Sequence, residues 1–124
     1  MNMKSKICCL LYLIMCILIV LTHSCNKKSG PSATDLLTAV KWEVTDVCGP
    51  VVDPYTYTFK PNGQIIQEQA YMNTIYSTWS LKDDDKVLVI GAGEEKIISL
   101  TKTELKLQGY GFLICIRVFK AVPF

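Results

Sequence analysis

Apolar residues run unbroken from Ile7 to Leu21, with Lys4 and Lys6 before the run and polar residues directly after it. A run of this length is short of the roughly 20 residues that a membrane-spanning helix needs. The pattern therefore predicts an export signal over residues 1–24. Asn26 to Ser32 is polar throughout, so residues 25–32 read as a flexible tether with nothing to pack. Ser32-Ala33-Thr34-Asp35 then has the spacing of a capping box, with Asp in the place of the usual Glu. Leu36, Leu37 and Val40 follow at helical spacing. One short helix is expected there and no other, because no later segment sustains a period near 3.6.

From Lys41 onward the pattern is short alternating runs broken by turn residues. Strands are expected over Lys41 to Cys48, Tyr55 to Lys60, Gln64 to about Tyr71, Thr74 to Lys82, Lys86 to Ile90, Glu95 to Thr101, Glu104 to Gln108, and Phe112 to about Ala121. Gly49-Pro50 and Asp53-Pro54 punctuate the first loop. Pro61-Asn62-Gly63 suits a type I turn with a glycine bulge. Asp83-Asp84-Asp85 reads as a solvated hairpin tip, because three adjacent carboxylates lack the alternate spacing of a calcium loop. Gly91-Ala92-Gly93 precedes no helix, so it is a turn and not a phosphate loop. Tight turns join antiparallel neighbours, and a meander of eight strands removes its bare edges by closing. The expected fold is all-β: an eight-stranded antiparallel up-and-down barrel over residues 33–124, with one short N-terminal helix and a preceding signal peptide.

Two resemblances add to this reading. Leu21-Thr22-His23-Ser24-Cys25 resembles the lipobox of a bacterial lipoprotein signal peptide. That implies cleavage before Cys25 and acylation of its sulfur and new amino terminus; two or more acyl chains hold a protein stably on a membrane. The second lies in Leu37 to Val44 with Trp42, in Tyr57-Thr58-Phe59-Lys60-Pro61-Asn62-Gly63, and in Trp79 to Asp84 leading into Leu88 and Ile90. Ile98 to Thr101 and Leu105-Lys106-Leu107 fit it too. Together they resemble the short lipocalin-like domains of Gram-negative bacterial lipoproteins, over nearly the whole chain after Cys25. Val40 stands where lipocalins usually carry Gly. The resemblance implies small-molecule binding in a lipocalin-like barrel whose cavity is small. It also implies an arginine of the last strand covering Trp42, and Arg117 is the natural match. With no acidic run after Cys25, the expected location is the periplasmic face of the outer membrane, reached through the lipid anchor.

Composition changes the picture once the leader is set aside. Loss of Lys4 and Lys6 leaves 11 basic residues against 11 acidic ones, a net charge of zero. That argues against nucleic acid as a partner, which calls for a clustered basic excess. His23, the sole histidine, lies in the leader, so a His triad, a His base or a His-containing zinc site is excluded after Cys25. No cofactor, metal or catalytic residue is expected, and a carboxylate pair such as Asp46 with Glu68 has no motif to join it. Strands shorter than about 9–11 residues, with Lys86, Lys96 and Lys106 along them, argue against a membrane pore.

The candidate ligand contacts are Trp42, Tyr57, Phe59, Gln67 and Trp79 on the barrel lining. Leu81, Leu105 and Leu107 are expected to face inward as well. Gln67 faces Tyr57 if Phe59 opposes Ile65. These residues suit an amphipathic ligand, or else a filled core whose hydroxyls bond internally. Val51 and Val52 could form a lid or pack beneath their loop. Cys48 and Cys115 are left after Cys25 takes the lipid and Cys8, Cys9 and Cys16 go with the leader. If Cys48 opposes Cys115, Asp46 opposes Arg117, and a disulfide and an ion pair brace the seam. If instead Tyr110-Gly111 forms a two-residue turn, Leu107 meets Ile114 and Cys115 points outward. Both registers are open at this level. So is a second function, an interaction module with an unknown protein partner, which the apolar faces of the last strand (Phe112, Ile114, Ile116; Leu113, Phe119) favour.

Overall fold

The computed structural model describes residues 30–109 and 114–124. The expected leader 1–24, Cys25, most of the expected tether, Tyr110, Gly111, Phe112 and Leu113 lie outside the described residues. The first described element is α1 (Ala33–Thr38). Ser32 Oγ accepts from the Asp35 amide at 3.1 Å, and the Ser32 amide donates to Asp35 Oδ2 at 3.0 Å. The reciprocal cap that the sequence spells satisfies two otherwise orphaned donors. The Ser32 hydrogen bonds hold the Asp35 carboxyl below its ordinary pKa.

Eight strands follow: β1 (Lys41–Val47), β2 (Tyr55–Phe59), β3 (Gln64–Gln69), β4 (Ile75–Lys82), β5 (Val87–Ile90), β6 (Gly93–Leu100), β7 (Glu104–Gly109) and β8 (Ile116–Val122). Each pairs antiparallel with the next and β1 pairs with β8, closing the barrel. Turn chemistry sets the hairpins. Gly63, at φ +85°, ends the β2–β3 turn, and its carbonyl accepts the Trp79 amide at 2.8 Å. The triple-aspartate tip holds all three residues in the left-handed region, at φ 55°, 54° and 63°, which Asp tolerates better than most residues.

Two poles result. One is closed by α1, whose Leu37 is fully buried and whose Leu37 carbonyl accepts Trp42 Nε1 at 3.0 Å. The chain enters and leaves here, with Lys41 opposite Val122. The other pole, the mouth, carries the β1–β2, β3–β4 and β5–β6 connections. Between them the interior is filled by apolar and aromatic side chains: Trp42, Val44, Tyr57, Phe59, Ile65, Trp79, Leu88, Leu105, Leu107 and Phe119. Tyr57 stacks on Phe119 at 5.3 Å, and Phe59 meets Trp79 edge-on at 5.3 Å.

The seam corrects the expected register. Trp42 faces Ala121 and Val44 faces Phe119, which extrapolates to Asp46 opposite Arg117. A bulge between Val44 and Asp46 shifts the pairing by one, so Asp46 faces Val118 and Val47 faces Arg117. The extra residue flips every later side chain to the other face. Thr45, within the bulge, donates its hydroxyl to the Val118 carbonyl at 3.2 Å. Asp46 is turned to solvent, where Oδ1 accepts the Gly49 amide at 3.0 Å. The alternative of a two-residue β7–β8 turn fails as well, because Leu107 faces Arg117 and not Ile114. Cys48 lies just past β1, at φ +54°, and bonds Cys115 with the Cα atoms 5.6 Å apart. The disulfide thus forms without the ion pair that the sequence coupled to it.

Candidate functional site

At the mouth the lining changes from apolar to charged. Arg117 reaches inward from β8, between Leu107 on β7 and Val47 on β1. Its Nη1 donates to the Tyr55 hydroxyl at 2.6 Å and to the Tyr57 hydroxyl at 3.2 Å. Its Nη2 donates to Glu95 Oε1 in an ion pair. The guanidinium also lies over the rings of Phe119, at 5.4 Å, and Tyr57, at 5.8 Å. Both charged side chains are about four-fifths buried. A pair this dry holds only because its geometry is close and its partners are polar.

Burial and the nearby charges act on this cluster together. Burial pulls the Arg117 pKa down, but the Glu95 hydrogen bond and the surrounding charges outweigh it and raise the value above its ordinary level. Burial dominates at Tyr55 and pushes its phenol up from 10.0 to about 12, against the opposing charge of Arg117. Between those values the folded protein keeps a proton that the unfolded chain releases. The associated stability is fully present below pH 10 and is lost as the pH rises toward about 12. Denaturation midpoints over that window are expected to fall more steeply for the wild type than for Tyr55→Phe. Equal slopes would count against a buried, neutral Tyr55.

Among the described residues, Glu95 has a second oxygen with no partner. Oε2 is buried and accepts no hydrogen bond. Glu95 and Arg117 line an open cleft of about 410 Å³ with Val47, Gly93, Gly109 and Cys115. Across the mouth a second cleft of about 410 Å³ lies between the β1–β2 loop and the β3–β4 turn, walled by Val52, Pro54, Gln69, Tyr71 and Met72. Val51 packs against the core beneath its loop, whereas Val52 is 88% exposed and Tyr71 95%.

The residues expected to contact a ligand divide by depth. Trp42, Phe59 and Trp79 are buried in the core, and the Trp79 indole donates to the Lys60 carbonyl at 2.9 Å. Tyr57 presents its hydroxyl to the Arg117 cluster. Gln67 faces Tyr57, as its register with Ile65 and Phe59 required. Arg117 does not have the expected role: its partners are at the mouth, while Trp42 is bonded to α1 at the closed pole. The bulged seam and the three residues Val118, Phe119 and Lys120, which lie between Arg117 and the Ala121 that faces Trp42, separate the two. Asp46 and Glu68 are not brought together, since Glu68 pairs with Lys41 at 3.0 Å.

Glu95 and Tyr55 were not among the expected site residues. Tyr55 could have been found, because it shares an alternating face with Tyr57. Glu95 sits in Glu94-Glu95-Lys96, where hydropathy gives no inward phase. Among the described residues, no group of three or more His, Cys, Asp or Glu stands close enough to hold a metal ion. Neither a protein-family model nor a curated protein sequence matches this chain.

Proposed function

We propose that the chain is a lipid-anchored envelope lipoprotein whose lipocalin-like barrel binds a small amphipathic molecule at its mouth, without catalysis. The observation that carries the reading is the Arg117–Glu95–Tyr55–Tyr57 cluster beside an open cleft and above an aromatic floor. A packed interior leaves the mouth as the place for a ligand: apolar surface holds its body and the cluster orients its polar group. The lipobox-like stretch ending at Cys25 supports the anchor, which a mature protein still carrying residues 1–24 without acylation would remove.

Gly109 gives the binding test. It lines the cleft, and a Cβ placed there meets nothing within 4 Å. Wild-type protein is expected to bind the apolar dye N-phenyl-1-naphthylamine saturably. Gly109→Leu should weaken that binding by about tenfold or more while the melting temperature stays close to wild type. Non-saturable fluorescence, or equal binding by the variant, would defeat the mouth as the site.

The exposed Val52, Tyr71 and Met72 around the second cleft support another reading, a protein-interaction module that uses the rim. A protein partner retained through purification, with no small molecule in native mass spectra, would favour it.

A further inference from the structure

Resting on the mouth-binding reading above, we infer that the polar group this site accepts is a neutral hydrogen-bond donor, a hydroxyl or an amide N–H, and neither a carboxylate nor an ammonium. An inward-facing arginine ordinarily suggests an anionic ligand. Here that charge is already matched. Arg117 Nη2 bonds Glu95 Oε1, and Nη1 serves both tyrosine hydroxyls. The pair is neutral as a unit and about four-fifths buried.

Among the described residues, the buried side-chain polar atom left without a partner is an acceptor. Glu95 Oε2 is buried and unpaired, on a residue that lines the cleft. An ionised carboxylate oxygen without a donor is costly in such surroundings, so a ligand N–H or O–H that reaches it gains more than an ordinary hydrogen bond. A ligand carboxylate brings no proton to Oε2 and sets a second negative charge beside Glu95. An ammonium could satisfy Oε2, but only next to the guanidinium that shares the same carboxylate. Like charges at that range and burial repel strongly. A neutral donor meets neither penalty.

Arg117 is the only arginine in the sequence, so its side-chain 15Nε resonance needs no assignment and reports directly on the cluster. The test titrates purified full-length protein with 1-hexanol, hexanamide, hexanoate and hexylammonium, and follows that resonance. The alcohol and the amide are expected to shift it saturably, with both charged probes weaker by about tenfold or more. Glu95→Gln, checked for a native melting transition, leaves the Arg117 charge unmatched, so hexanoate should become the preferred probe. Hexanoate or hexylammonium binding as well as hexanol to wild type would overturn the inference while leaving mouth binding intact. An unchanged ranking in Glu95→Gln would also overturn it. No saturable shift with any probe would remove the mouth-binding reading itself. The wild-type ranking decides the matter even if Glu95→Gln does not fold.

Discussion

Replacing Phe119 by alanine is expected to lower the unfolding free energy by about 3–5 kcal/mol, the range for emptying a buried aromatic site. Phe119 is fully buried. It lies opposite Val44 across the seam and opposite Leu105 on the other side, so its ring touches the strands that close the barrel. It stacks on Tyr57 at 5.3 Å and meets Tyr55 edge-on at 6.0 Å. The collapse that could shrink the resulting cavity is opposed by strands hydrogen-bonded on both sides. For a domain of this size, the loss would lower the melting temperature by more than about 12 °C. Equilibrium urea unfolding would measure it, and Phe119→Leu should cost distinctly less. A loss below about 1 kcal/mol would mean that the ring is not the packed floor described here. The same substitution removes the surface beneath Arg117, so the dye affinity of the mouth should fall with it.

The second large effect concerns the covalent staple. Cys48 and Cys115 are 67 residues apart in sequence. Closing a loop of that length in the unfolded chain contributes about 4 kcal/mol on the entropy model. The double variant Cys48→Ser, Cys115→Ser is expected to lose most of this. The location matters as much as the amount. The bond joins the exit of β1 to the approach to β8, the two strands that complete the sheet. Hydrogen exchange should therefore rise first at Val47, Arg117 and Val118, ahead of the hairpins at the closed pole. An unchanged urea midpoint, or two free thiols in protein from an oxidising compartment, would contradict this account.

Much of the architecture was legible in the residues. The Ser32–Asp35 cap, the Pro61-Asn62-Gly63 and triple-aspartate turns, and the alternation of Tyr55 to Phe59 each state a local preference. Closure by β1 on β8 follows from the same logic, because a meander with bare edges is exposed to association. The seam register was legible only as far as Val44. The bulge that follows is built from Val44, Thr45 and Asp46, none of which is a glycine that would announce it. That one extra residue turned Asp46 outward and supplied Arg117 with Val47 as its neighbour. The true partner, Glu95, stands on a strand where Ile97 packs inward but is followed at once by Ile98, so the apolar pattern alone does not say which face is the inner one. A lone arginine on an inward face does require an acid, yet choosing among 11 acidic residues is a question of tertiary distance.

The placement of Lys41 against Val122 has a practical consequence. Both segments emerge on the side away from the cysteine clasp. An affinity handle or a fluorescent protein fused after Phe124 would then stand clear of the proposed binding mouth. Immobilisation from that side would leave the mouth that holds Arg117 and Glu95 turned toward the bulk solution, so a sensor surface built on this scaffold should keep the proposed site accessible.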